Sequence, residues 1–204
     1  MLIALSSPAQ TNLVATNSIS EPQTNAEATE DEIVSNQLQS VIRAIPQYFD
    51  FHKDEVEGTV TISLSNYIDL EDDNGGTVKL GVVTFVHPPK EVVDYVALYF
   101  RSQSPDWKFL DDHDFTIRYD DIKLSPDSDY SNKILNNGTV YEQFFPNFTL
   151  QQFHDIAWAD KVFVKLGYAN YEIPYADRQK WKLLWKYFDL KKRQATLDSG
   201  KAVQ

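Results

Sequence analysis

Residues 149–188 read TLQQFHDIAWADKVFVKLGYANYEIPYADRQKWKLLWKYF, and this stretch indicates a helix, a hairpin and a second helix in succession. Thr149 followed three residues later by Gln152 forms a capping box, in which each side chain binds the backbone N–H of the other residue. The pattern therefore predicts a short helix over 150–158.

Strand and turn signals follow this helix. Residues 162–166 are Val-Phe-Val-Lys-Leu, which is rich in side chains that favour strands. Gly167 opens a turn over 167–170, and residues 171–173 run back. The segment predicts a β-hairpin.

Four large apolar residues after Pro174 recur at i, i+3, i+4 and i+7, which places them on one face of a helix. They are Trp181, Leu184, Trp185 and Phe188. The sequence predicts an amphipathic helix over 176–193, with Asp177 near its start and basic residues near its end, as the helix dipole favours.

Upstream of residue 149 the chain reads mainly as strands joined by polar turns. Thr29 and Glu32 form another capping box, and the helix that they begin should stop at Pro46. Residues 125–137 are polar and predict a loop. Strands are predicted at 60–64, 78–86, 92–100, 115–119, 122–124 and 139–145.

No strand–helix–strand alternation occurs, so we expect an α+β fold. Its expected form is an antiparallel β-meander or sandwich-like sheet, with the 150–158 helix and the C-terminal amphipathic helix packed on it. We expect one domain over 29–193. Residues 1–28 are predicted to be a disordered segment or a signal remnant and spacer, and 194–204 a flexible tail.

Composition excludes several classes of function. The chain has 204 residues and a net charge of -11, which opposes binding to nucleic acid because that requires Lys and Arg at phosphates. It has no Cys, which excludes disulfides, zinc–thiolate sites, iron–sulfur clusters and thiol catalysis. No apolar run is long enough to span a membrane. We expect a monomer that needs no cofactor.

The first residues resemble part of an export signal. Met1 to Leu5 are apolar, Ser7-Pro8-Ala9 resembles a cleavage site, and the following residues to Asn25 are polar and spacer-like. A signal peptide also needs a basic start, whereas the first basic residue is Arg43. The segment is either the back half of a signal peptide that begins upstream or an ordinary flexible terminus. The prediction is therefore a periplasmic or extracellular protein, and the alternative is a cytoplasmic one.

The candidates for catalysis are Asp111, Asp112, His113 and Asp114, because carboxylates beside an imidazole can transfer protons or bind a metal. Neighbouring residues in a loop seldom converge on one ion, so a solvated turn between strands is the favoured interpretation. No metal site is predicted.

Candidates for ligand binding are aromatic residues near predicted turns, where an exposed ring can stack on a ligand. They are Trp107, Tyr168, Tyr171 and Tyr175. Most of the aromatic residues in a chain this rich in them must be core.

The segment after Pro174 has eight basic residues and three acidic ones, against the acidity of the rest of the chain. A basic amphipathic helix can lie on an anionic membrane surface. It can equally cover a core while its lysine stems flank the apolar stripe, and the opposite charge of the remaining chain favours this packing role.

The order of elements from Trp107 onward resembles a broad group of uncharacterised small exported bacterial domains. The matching features are Trp107-Lys108-Phe109-Leu110, the helix from Phe153 to Trp158, the hairpin from Val162 to Gly167, and the closing helix after Pro174. The resemblance implies an exported, lone-domain protein of bacterial origin and implies no activity.

The leading functional prediction is a non-catalytic, extracytoplasmic binding or protein-interaction domain for an unknown protein or small molecule. The first alternative is an acidic-site hydrolase or metal-dependent enzyme that uses Asp111–Asp114. The second is a membrane-surface accessory protein that acts through the C-terminal basic helix.

Overall fold

A computed structural model describes residues 28–72, 75–88, 93, 95–109 and 112–201. The predictions for residues 1–27, including the signal remnant, spacer and disorder, lie outside the described residues.

Three α-helices occur in the described residues: α1 (Glu30–Ala44), α2 (Leu150–Trp158) and α3 (Tyr175–Lys201). Both predicted capping boxes are confirmed, with Thr29 and Glu32 at α1 and Thr149 and Gln152 at α2. A short 3-10 turn containing Pro46 follows α1. The segment predicted as a tail after residue 193 is helical as far as Lys201.

The strands of the described residues are mostly short and all pair antiparallel. They are β1 (Phe49–Lys53), β2 (Val60–Leu64), β3 (Ile68–Glu71), β4 (Thr77–Val86), β5 (Tyr95–Ser104), β6 (Phe115–Tyr119), β7 (Ile122–Leu124), β8 (Ser128–Ile134), β9 (Val140–Thr149), β10 (Val162–Leu166) and β11 (Ala169–Glu172). The α+β class with antiparallel sheets is confirmed.

These strands form two sheets. The first has the order β1-β2-β4-β5-β9-β8, and β3 pairs with the start of β4. The second has the order β11-β10-β6-β7. A single bridge between Asp72 and Tyr171 joins the end of β3 to β11, so the two sheets meet along one edge.

The inner face of the first sheet is covered by the second sheet and by the helices. Phe115 of the second sheet lies 5.6 Å from Phe100 and 6.3 Å from Phe148 of the first, between ring centroids. Leu80 and Leu98 on the same face are fully buried. One apolar core therefore unites both sheets, as in a sandwich.

The outer face of the first sheet carries its own aromatic layer. Tyr99 stacks on Phe145 across β5 and β9, with ring centroids 4.6 Å apart. Tyr67 lies over Gly81, where an added Cβ would approach the ring to 2.9 Å. These ring contacts cover part of the outer face of the sheet.

Arg178 on α3 connects three elements through backbone carbonyls. It is 1% exposed, and its guanidinium donates to the carbonyls of Ile156, Ala157, Ala159 and Asp160 at the end of α2 and to that of Ile173 after β11. The last carbonyls of a helix have no partner within the helix, and a cation there also suits the helix dipole.

The apolar stripe of α3 packs inward. Trp181 and Leu184 are fully buried, Phe188 is nearly so, and the Trp181 ring stacks on Phe153 of α2 with centroids 5.7 Å apart. Further along, Leu190 packs with Val34, Leu38 and Val41 of α1. The stripe therefore stabilises the domain, as the packing interpretation predicts.

The loop predicted at 125–137 is wrong, because β8 (Ser128–Ile134) lies there and pairs with β9. β8 is an edge strand with its residues mostly exposed, so it lacks the apolar alternation by which a half-buried strand is recognised. Polar side chains on such an edge also prevent pairing with other chains.

We predict that Arg178→Met lowers the free energy of unfolding by at least about 3 kcal/mol, because it leaves several buried carbonyls without donors. Urea denaturation measures the change. Arg193→Met is the matched control, since Arg193 is exposed and forms its ion pair with Asp189 one turn away on the same helix; it should cost no more than about 0.5 kcal/mol. Equal losses in the two variants would contradict the capping role.

We predict that Trp181→Ala costs about 3–5 kcal/mol, because a fully buried ring leaves a cavity. Thermal or urea unfolding tests this, with the 36% exposed Trp107 replaced by Ala as the control. A negligible change at Trp181 would mean that the ring does not belong to the core.

Candidate functional site

A cleft of about 620 Å³ opens on the solvent-facing side of the second sheet, beside the bridge that joins the two sheets. We call it the seam cleft. Its volume falls within the range of about 300–1,000 Å³ that is typical of small-molecule sites. Its charged lining residues comprise three bases, Arg118, Lys123 and Lys165, and three acids, Glu71, Asp72 and Glu172.

Strand register brings the three basic side chains together. Arg118 on β6 lies opposite Lys123 on β7 and opposite Phe163 on β10, while Lys165 is two residues along β10 on the same face. The intervening Ile117 and Val164 are fully buried in the core, so the alternating side chains point outward. The Arg118 guanidinium carbon lies 5.1 Å from the Phe163 ring centroid.

The acidic residues come from the strands at the seam. Glu71 ends β3, Asp72 follows it at the bridge to Tyr171, and Glu172 on β11 lies opposite Phe163. The Asp72 carboxylate accepts a hydrogen bond from the Gly76 N–H at 2.8 Å, which holds it at the turn between β3 and β4.

Tyr171 forms the floor of the seam cleft beside Asp72. The sequence predicts an exposed ring at this position, and that expectation is wrong, because Tyr171 is 1% exposed. Burial raises the pKa of its phenol, and the negative charge of the nearby Asp72 carboxylate acts in the same direction.

The three basic side chains of the seam cleft are available to a ligand. Among the described residues, no ion pair within 4.0 Å involves Arg118, Lys123 or Lys165. Arg118 and Lys123 are also directly opposed like charges, an arrangement that destabilises a sheet unless an anion lies near. The cleft can therefore offer cations to a ligand without first breaking an internal ion pair.

The acid and histidine cluster of the sequence lies elsewhere, in the loop before β6. Asp111 lies outside the described residues. Asp112 accepts from the backbone N–H of Asp114, and the carbonyl of Asp114 accepts from Gly167. His113 stacks on Tyr130 with ring centroids 3.9 Å apart. These contacts are those of an ordered turn.

Glu142 on β9 anchors the preceding loop. Its carboxylate is 1% exposed and accepts hydrogen bonds from the backbone N–H groups of Lys108 and Phe109 and from the Tyr130 hydroxyl. Burial and this hydrogen bond raise the pKa of Tyr130 to about 12. Three donors satisfy the buried carboxylate, so its arrangement explains the loop position without a ligand.

The remaining aromatic candidates lie apart from the seam cleft. Trp107 is in the loop held by Glu142, and Tyr168, 78% exposed, is in the β10–β11 turn. Tyr175 accepts from Lys182 at 3.1 Å. This hydrogen bond, followed by contacts with Gln179 and the Lys182 charge, lowers the pKa of Tyr175.

Within the described part of the chain, no three His, Asp or Glu side chains lie close enough together to hold a metal ion. No described helix has the length and apolar character needed to cross a membrane.

The seam cleft escapes sequence analysis because its residues come from five strands. Part of the cleft can be inferred from the alternation of buried and exposed side chains in β6 and β10. In both strands a basic residue, Arg118 or Lys165, occupies an outward position between core residues. Which strands become neighbours, and therefore that Glu71 approaches β11, follows only from the folded chain.

No protein family, curated protein or solved structure matches this chain. The resemblance to small exported bacterial domains therefore stays a prediction.

We predict that Tyr171→Phe makes the protein more resistant to alkaline unfolding relative to its own stability at pH 7. A phenol whose pKa is raised by folding stabilises the native state fully below its ordinary value of 10.0, and this stabilisation is lost as pH rises through the folded value. Urea denaturation at pH 7 and pH 11 measures the difference. An identical pH dependence in both proteins would contradict burial of the phenol beside Asp72.

Proposed function

We propose that this protein is a non-catalytic binding domain whose ligand occupies the seam cleft. The observation that supports this proposal most strongly is that Arg118, Lys123 and Lys165 face outward around one cleft and form no ion pair with any described residue. A ligand group of negative charge gains charge-assisted hydrogen bonds there, which are stronger than those between neutral groups.

The acidic residues of the same cleft indicate that the ligand also carries a cationic group. Glu71, Asp72 and Glu172 would repel a purely anionic molecule, while a cationic group favours them. A small dipolar ligand, with its anionic group toward Arg118 and its cationic group toward these acids, satisfies both sets. Short peptides with free termini have this chemistry.

The ring of Phe163 can contact the uncharged middle portion of such a ligand. It lies between Arg118 and Glu172 in the strand register, so an uncharged portion between two charged ends can cover it. Asn170, which also lines the cleft, can donate and accept hydrogen bonds with a peptide group.

We further propose that the domain acts outside the cytoplasm, as the spacer-like sequence of the first residues suggests. N-terminal sequencing of native material tests this: a mature start after Ala9 supports export, and an unprocessed Met1 in the cytosol contradicts it.

The hydrolase alternative has weaker support. Asp112 and Asp114 are joined by a hydrogen bond in a turn, and His113 stacks on Tyr130. Among the described residues, these side chains form no group that could hold a metal ion. The membrane-surface alternative has to act without the apolar stripe of α3, whose main residues are buried in the core.

A set of three tripeptides tests the proposed function. Triglycine has both terminal charges, N-acetyltriglycine lacks the cation, and triglycinamide lacks the anion. Hydrogen bonds to charged groups contribute about 1.5–3 kcal/mol, so blocking either end should weaken binding about tenfold or more. Titration followed by NMR shifts of labelled protein measures each affinity and locates the site.

Variants give the matched controls. Arg118→Ala should abolish the shifts, whereas Lys186→Ala, an exposed lysine on α3 away from the cleft, should leave them unchanged. Equal binding of all three tripeptides, or shifts in Arg118→Ala like those of the wild type, would overturn the proposal.

A further inference from the structure

A second concavity, of about 350 Å³, lies between α3 and the ends of β1, β2 and β4. We call it the α3 groove. Its apolar lining residues include Val60, Ile62, Val86, Tyr187 and Phe188, and Lys53 and Lys191 are its charged ones. It shares no residue with the seam cleft.

Strand register gives the α3 groove a polar end and an apolar interior. Lys53, Val60 and Val86 form one cross-strand row at the ends of β1, β2 and β4. The next inward row is Phe51, Ile62 and Thr84, of which Ile62 is 1% exposed. Lys53 thus lies at the strand ends beside Val60 and Val86, and Ile62 lies inward of them.

Helix α3, which forms the opposite wall of the groove, also has an apolar part and a basic residue. The Tyr187 ring lies edge-on to Phe51 with centroids 6.2 Å apart, so this part of α3 faces the inner row. Lys191 is one turn further along, on the same helix face, and also lines the groove. Both walls therefore carry a lysine beside an apolar surface.

Apolar side chains in the groove are incompletely covered. Val60 and Val86 are only half-buried although they lie on the inner face of the sheet. Phe51, which pairs with Ile62 beside the groove, is 43% exposed. Apolar surface left open in this way gains free energy when a ligand covers it.

Lys53 is available to an anion. No ion pair to Lys53 is found among the described residues, and the carboxylate of its neighbour Asp54 accepts hydrogen bonds from the backbone N–H groups of Val56 and Glu57. Asp50, on the same strand, pairs in register with Ser63 in a row of the outer face.

We propose that the α3 groove binds a single fatty carboxylate, with the alkyl chain along Val60, Ile62, Val86 and Phe188 and the carboxylate at Lys53. The charge complementarity selects an amphiphile with one anionic end over an uncharged apolar molecule. The groove volume lies at the low end of small-molecule sites, which suits one alkyl chain.

A chain-length series tests the site. Octanoate, decanoate and dodecanoate are titrated below their micelle concentrations by isothermal calorimetry. Each buried methylene should tighten binding about fourfold until the groove is filled. The alcohol of the same length should bind about tenfold more weakly than the carboxylate, because it lacks the charge that Lys53 meets.

Three variants make the test specific. Lys53→Glu should lower the affinity for decanoate at least tenfold, and Val86→Trp, which fills the groove, should abolish binding. Lys186→Glu has the same charge change on an exposed part of α3 and should bind as the wild type does. Circular dichroism melting confirms that each variant is folded before it is titrated.

Affinity that does not change with chain length would overturn the proposal, as would equal losses in Lys53→Glu and Lys186→Glu. Phosphatidylglycerol vesicles distinguish a membrane surface from a free fatty acid. Association with vesicles in the absence of binding to dissolved decanoate would also overturn it. Tripeptide binding at the seam cleft is measured separately, so each site can fail alone.

Discussion

The contact on which the arrangement of this domain depends is that of the Arg178 guanidinium with five backbone carbonyls. These carbonyls end α2 and follow β11, so one side chain fixes the position of α3 against two other elements. Burial lowers the pKa of Arg178, and the carboxylates of Asp120, Asp160 and Glu172 oppose that shift. The interaction supplies the carbonyl partners that the end of a helix otherwise lacks.

Different residues of α3 pack against different parts of the domain. Trp181 and Leu184 close the core over the first sheet, and Leu190 packs on α1. At Tyr187, Phe188 and Lys191 the helix faces the ends of β1, β2 and β4, and the α3 groove lies between them.

The bridge from Asp72 to Tyr171 determines the seam cleft. It joins the sheets along one edge and brings acids from β3 near bases from β6 and β10. The two concavities differ in chemistry for a simple reason. The seam cleft lies on the outer face of a sheet, where side chains are polar, whereas the α3 groove exposes an inner face.

The local sequence determined the capped helices, the hairpin after α2 and the apolar stripe of α3, because capping pairs, turn residues and helical spacing all involve residues close together in the chain. It failed for β8, an edge strand whose polar residues resemble a loop, since nothing local distinguishes the two. Only tertiary structure decided that Tyr171 is buried beside Asp72 and that Arg118 shares a cleft with Glu71. These pairings depend on strand order, and strand order is set by the burial of a common core by residues far apart in the chain.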